Sequence, residues 1–280
     1  MFSGFMVNTW LAGTVIAILA GVVGFFVVAR GASFAAHALP VGAFPGAAAA
    51  LLLGTSTLGG LVIFTALGVA GITWLGRRAR RDIATALALV ALLGLGELFL
   101  SMTSEYAPEV ESLLFGQILG VTSSEVAYLV FLATLCMVAV GVAFRPLLLT
   151  SVDEGLGQAL GIAPRRGDLI FLAVLGLATA MAVPIVGTLL VFTLMVGPAG
   201  AAQLLSPRPT VALVLSTAIA ITTVWSAIAL SYRSGWPVGF FVGGIAALVY
   251  VTARLVTAER SRSPRDTPIS QRGQDRHESP

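Results

Sequence analysis

Long, nearly unbroken apolar runs dominate the pattern of this chain, in place of the short alternating stretches of half-buried strands and helices. Runs fall near residues 8–29, 36–54, 58–76, 84–103, 125–144, 169–188, 189–205, 209–231 and 236–255. Most approach the roughly 20 residues that an α-helix needs to cross the hydrocarbon core of a bilayer. The pattern therefore predicts an all-α integral membrane protein, a polytopic bundle of about 8–9 transmembrane helices. The count turns on the region from Pro184 to Leu205, which contains Gly187, Gly197 and Pro198 and reads either as a full crossing or as a pair of broken half-helices. Broken backbone at membrane depth is tolerated only where it lines a cavity or is buried in protein, so this interruption points to a pathway. The first run is long enough to be a retained span rather than a cleaved leader.

The polar positions set an orientation. Arg77, Arg78, Arg80 and Arg81 share one loop, Arg145, Arg165 and Arg166 flank another, Arg208 marks a third, and Arg254, Arg260 and Arg262 open the tail, with Arg30 on the same side. The loop between the fourth and fifth runs instead carries Glu105, Glu109, Glu111 and Glu125. Arginine bias toward the cytoplasm places the Arg loops and the C-terminus inside and the acidic loop and N-terminus outside, with Arg233 the outer exception. Transmembrane residues 1–256 are expected to be followed by a polar, disordered tail over 257–280.

Composition narrows the class. Hydrophobic residues make up 57% and charged residues 10%, against about 25% charged in soluble domains. All 16 basic residues are Arg, and a P-loop needs a Lys to reach the phosphates, so the chain is not its own ATPase. With two His and one Cys, a zinc site of His and Cys ligands is not available. Cys136 lies in an apolar run and reads as a buried thiol; His277 lies in the tail. No enzyme constellation and no nucleic-acid footprint appear, and a non-enzymatic role is expected. The 31 glycines suit close helix approach.

Two ionisable side chains fall in or near apolar runs, where a charge usually faces a cavity or a partner. His37 precedes Pro40 and Pro45, which should bend its helix; it reads either as a pathway group or as a residue bonding a neighbour near a helix start. Glu97 follows Gly94 and Gly96 and reads either as a functional carboxyl or as one buried between helices. A third segment, SVDEGLGQALGIAPRRGD at 151–168, is too polar to span. Its early Asp153 and Glu154 and late Arg165 and Arg166 suit the dipole of a short helix, a docking element for a soluble partner or an ordinary connection.

Four stretches carry a family resemblance: GVVGFFVVARGASFAAHALPVGAFPGAAAALLLG from Gly21, ESLLFGQILGVTSSEV around residues 114–119, DEGLGQALGIAPRRGDL from Asp153, and GTLLVFTLMVGPAGAAQLL from Gly187. In order and spacing the chain resembles the membrane-permease subunit of zinc and manganese ABC importers, the ABC-3 family, with a type II importer permease-like bundle. The resemblance implies alternating access by a homodimer of the permease in a bacterial cytoplasmic (inner) membrane. An extracytoplasmic metal-binding protein would deliver a divalent metal ion, and separate ABC ATPase subunits would hydrolyse ATP. The metal is cargo rather than a permanently bound cofactor. A coupling helix near 151–166 would present Asp153, Glu154, Gln158, Arg165 and Arg166 to the ATPase, and Gly187 and Pro198 would belong to the gate.

The departures concern the cargo. The family's second helix usually carries Asp and, one turn later, His before its Pro-Gly, an i, i+4 pair on one face. Aligned on Pro45 and Gly46, this chain has His37 and Val41 there, and Gln117 stands where the family often has Asp. His37, with Glu97, is the expected metal pathway. An ABC permease of the same fold for another substrate, a secondary transporter using Glu97 as a proton relay, and a non-transporting scaffold are the alternatives.

Overall fold

A computed structural model of the chain describes residues 4–77, 80–102, 118–152 and 164–262. Ten α-helices lie among them: α1 (Gly4–Ala29), α2 (Ser33–Gly42), α3 (Phe44–Leu53), α4 (Thr57–Leu75), α5 (Arg81–Ser101), α6 (Ser123–Val152), α7 (Pro164–Val186), α8 (Thr188–Leu205), α9 (Pro209–Ser234) and α10 (Val238–Arg262). A short 3-10 turn at Ile118–Gly120 precedes α6, and no strand occurs among the described residues. α2 and α3 together make one span, Ser33–Leu53, so the described residues hold nine candidate membrane spans.

The prolines explain the division of that second span. Pro40 lies inside α2 and Pro45 in the first turn of α3. Neither donates a backbone N–H, so the helical ladder thins around Ala43 and the helix bends there. The region 189–205 is one continuous helix with Pro198 inside it, not a pair of half-helices. A single residue, Gly187, joins α7 to α8.

The helices form an inner and an outer set. α1, α2–α3, α7 and α8 are mostly buried within the chain, whereas α4, α5, α6, α9 and α10 bury a minority of their apolar span. The outer set displays Leu67, Val90, Phe131, Val142, Val214 and Leu248, an arrangement stable only where the surrounding solvent is itself apolar. α1 packs against α6, α8 and α9, and α8 in turn against α1, α2, α9 and α10. Small residues set these crossings. An added methyl at Gly24 would land on the Met195 carbonyl, one at Gly21 would meet the Thr217 backbone, and Gly46 and Gly60 approach backbone to backbone.

Polar bonds between helices are few and local. The Ser216 hydroxyl donates to the Gly21 carbonyl at 2.8 Å, in the buried crossing of α1 and α9. Ser216→Ala is expected to destabilise the protein by about 1 kcal/mol or less, the usual worth of an interhelical hydrogen bond in a membrane protein; thermal unfolding in detergent measures it, and an unchanged midpoint would show the bond to be idle.

The ends of the helices sort by charge. The Arg30 guanidinium bonds groups at the end of α6 and the start of α7, and Gln203 donates to the Phe25 carbonyl. Thr257 donates to the Leu204 carbonyl. The ends of α1, α6, α8 and α10 and the start of α7 therefore share one face, the one that sequence charge marks as Arg-rich. On the opposite face Asn8 donates to Ser123, at the starts of α1 and α6. α10 continues past the expected boundary at residue 256: residues 257–262 are helical, and the Thr257 hydroxyl ties this end to the Leu204 carbonyl. Residues 263–280, including His277, lie outside the described residues.

Candidate functional site

α2 packs against α4, α5, α7 and α8, and Ala35, Ala36, Ala38, Leu39, Pro40 and Gly42 are buried by those neighbours. The remaining face stays open. Phe34 is exposed, and His37, Val41 and Phe44 are half-buried, at the i, i+3, i+4 spacing of one helical stripe. The His37 ring meets Phe192 of α8 edge-on, with ring centroids 5.0 Å apart. His37 is thus neither sealed in the core nor turned to a polar neighbour. It stands on a seam between α2 and α8 that one copy of the chain leaves partly uncovered. Val41 shares the seam, on the same face one turn later.

Glu97 occupies a different place. It is exposed on α5, about one turn from the helix end, and its neighbour Gly96 packs on Phe44 and Pro45. Phe44 lies seven residues beyond His37, which is about 10 Å along a helix. The packing of Gly96 therefore sets Glu97 beside the start of α3. No group of three or more His, Cys, Asp or Glu side chains that could hold a metal occurs among the described residues.

The joint before α8 has unusual backbone. Gly187 has φ 84° and ψ 155°, a region that side chains with a Cβ rarely enter. Its N–H donates to the Val183 carbonyl and its carbonyl accepts from Val191, so it ends one helix and opens the next. Beside it the Thr188 hydroxyl is buried without a hydrogen-bond partner. Pro198 is buried inside α8 and leaves the Leu194 carbonyl without its helical donor.

At the Arg-rich face, the Arg30 side chain is 6% exposed and pairs with Asp168, 27% exposed, at 3.1 Å. It also donates to Thr150 Oγ1 at 2.8 Å and to the Leu147 carbonyl at 3.2 Å, and its guanidinium lies 5.1 Å from the centre of the Phe171 ring. Sequence reading assigned Arg30 to a side of the membrane but missed this cluster. The available signal was a lone Arg ending one apolar run and a lone Asp opening another on the same face. Asp153, Glu154, Gln158 and Gln117 lie outside the described residues, as do the side chains of Arg165 and Arg166 in the first turn of α7. Cys136 is buried where expected, its thiol 3.8 Å from the Val174 carbonyl.

The model of the ABC 3 transport family matches residues 3–257. The chain belongs to the ABC 3 transport family. The manganese import system permease protein ScaB of Streptococcus gordonii is 25% identical over 258 residues, covering 91% of this chain and 92% of ScaB. The manganese transport system membrane protein MntC of Halalkalibacterium halodurans is 29% identical over 257 residues, covering 91% of this chain and 86% of MntC. Among solved structures, PsaBC from Streptococcus pneumoniae in complex with Fab superposes with a TM-score of 0.80 at 24% identity, over 90% of this chain and 91% of that one. That likeness establishes the shared fold, and the family match turns a bundle of apolar helices into a transport permease.

Proposed function

We propose that the chain is the permease subunit of an ABC importer that moves a divalent metal ion of the manganese class through a bacterial cytoplasmic membrane. The observation that carries this is the family match across almost the whole chain, with relatives named as a manganese import permease and a manganese transport membrane protein at 25% and 29% identity. Arginine bias then places the Arg-rich face and the C-terminus in the cytoplasm.

The open stripe of α2 supports a homodimer in which a second copy covers the seam and brings two His37 imidazoles to one pathway. Imidazole suits a borderline divalent ion. A sparse ligand set suits an ion that must leave as well as enter. Glu97, nearer the outer end, is a second polar station on the way in. Gly187 and Pro198 are the joints on which α8 opens and closes the seam. The segment near 151–166, with Asp153, Glu154, Gln158, Arg165 and Arg166, is the docking element for ATPase subunits, and an extracytoplasmic binding protein delivers the ion to the outer face.

The test is uptake by the assembled complex. The chain is expected to copurify with an ABC ATPase, to lose it when residues 154–166 are replaced by a Gly-Ser linker, and to drive ATP-dependent uptake of Mn²⁺ from a panel that includes Zn²⁺. Uptake that needs a proton gradient and Glu97 but no ATPase would overturn the ABC reading in favour of a secondary transporter.

A further inference from the structure

A cavity of about 280 Å³ opens among the helix ends on the Arg-rich face. The turn between α1 and α2 borders it with Arg30 and Ala32, α4 with Ile72 and Arg77, α5 with Asp82, and α7 with Asp168 and Leu169. Ala35 of α2 forms part of the wall. It stands two residues before His37, about 200° around the helix. The cavity therefore lies on the side of α2 away from the His37 stripe, and none of His37, Val41, Glu97 and Phe192 lines it.

Its charges are unevenly matched. Arg30 is nearly buried and meets Asp168 at 3.1 Å. Asp82 lies in the first turn of α5, where the helix dipole favours a carboxylate. Arg77 is exposed and makes no ion pair among the described residues. It heads the run Arg77, Arg78, Ala79, Arg80, Arg81, four Arg in five positions directly after a membrane span. A basic run at that place attracts anionic lipid. Two apolar features set the depth. Trp74, one turn before Arg77, is exposed, and Trp marks the headgroup level of a span. Leu169 lines the cavity and is itself exposed, so the apolar wall runs out onto the open surface of α7.

We propose that this cavity holds the headgroup of an anionic phospholipid, with its phosphate beside Arg77 and an acyl chain laid along Leu169. Most of the wall is apolar. A soluble phosphate compound gains only the charge there, whereas an amphipathic molecule gains the wall as well. A zwitterionic lipid brings its own cation, which the Arg run repels. Arg30 and Asp168 satisfy each other and frame the site; Arg77 is the binding group. A lipid seated there fills space shared by the α1–α2 turn, α4, α5 and α7, and binding to the folded chain alone stabilises it by mass action.

The test uses the full chain, purified in mild detergent and then given phosphatidylglycerol or phosphatidylcholine. Native mass spectrometry reads the bound lipid and a melting curve reads stability. Phosphatidylglycerol is expected to be retained and to raise the melting midpoint, and phosphatidylcholine to do neither. Arg77→Gln should weaken phosphatidylglycerol binding about fivefold, the usual worth of one basic residue at an anionic membrane surface. Ala32→Leu puts bulk into the cavity without touching a charge and should weaken binding as much or more. Arg233→Gln, on the opposite face, should bind as the wild type does. Equal binding of the two lipids, or equal losses in Arg77→Gln and Arg233→Gln, would overturn the site. So would full binding by Ala32→Leu, since surface charge outside the cavity would then hold the lipid. Glycerol phosphate is the soluble arm. If it raises the midpoint as much as phosphatidylglycerol does, the site takes a free phosphate compound and the lipid is overturned. Should Arg77→Gln fail to fold, the lipid preference of the wild type and Ala32→Leu decide by themselves.

Discussion

Gly24→Val is expected to destabilise the permease by about 3 kcal/mol, the upper end of the usual penalty for overpacking a tight contact. The side chain introduced on α1 would land on the Met195 carbonyl of α8, and backbone cannot rotate away as a flexible side chain does. Neither helix can easily retreat. α1 is held between α6, α8 and α9, and α8 between α1, α2, α9 and α10. The expected result is a lower thermal midpoint in detergent and less protein in the membrane, measured by fluorescence-detected size exclusion. Gly141→Ala in α6 is the matched control, because nothing lies within 4 Å of a Cβ added there. Helix propensity should make it neutral or stabilising by up to about 1 kcal/mol. Equal losses in both variants would show that glycine content, and not this crossing, sets the stability.

His37→Ala is expected to lower Mn²⁺ uptake about tenfold or more, equivalent to about 1.4 kcal/mol of affinity for the ion in transit. ATPase binding should survive, since His37 touches Phe192 on the α2–α8 seam and none of the contacts that Arg30 makes at the Arg-rich face. The reciprocal change is more telling. Val41→His places a second imidazole one turn along the same half-buried stripe, at the i, i+4 spacing that lets two side chains meet one ligand. Titration calorimetry of the purified permease should then show tighter binding of Mn²⁺ or Zn²⁺, and transport should slow as release becomes harder. Unchanged uptake in His37→Ala would remove this histidine from the pathway.

Much of the architecture was legible because bilayer thickness acts directly on sequence. A run such as Thr57–Leu75 has one stable option in hydrocarbon, a helix that satisfies its own backbone. Each of the nine spans has its apolar run in the expected place, and Pro40 and Pro45 announced the bend between α2 and α3. The region after Pro184 was ambiguous for a local reason. Gly187, Gly197 and Pro198 all weaken a helix taken alone, yet the packing of α8 against five neighbouring helices holds Thr188–Leu205 as one helix. The last turns of α10 are polar, and there the Thr257 hydroxyl bonds the Leu204 carbonyl, a tie that residue type alone does not show.

The site divides in the same way. Sequence alone determined that the chain spans a membrane, which of its faces is Arg-rich, that it carries no P-loop lysine, and that His37 is a rare titratable group in an apolar helix. Each follows from residue type and spacing along one chain. Only the tertiary structure decided that His37 and Val41 stand on an open seam against Phe192, that Gly96 beside Glu97 packs on Phe44 and Pro45, and that Arg30 joins Asp168 and Thr150 across more than a hundred residues of chain. Those relations depend on how helices cross, and the crossings are set by the places where Gly21, Gly24 and Gly46 let one backbone approach another.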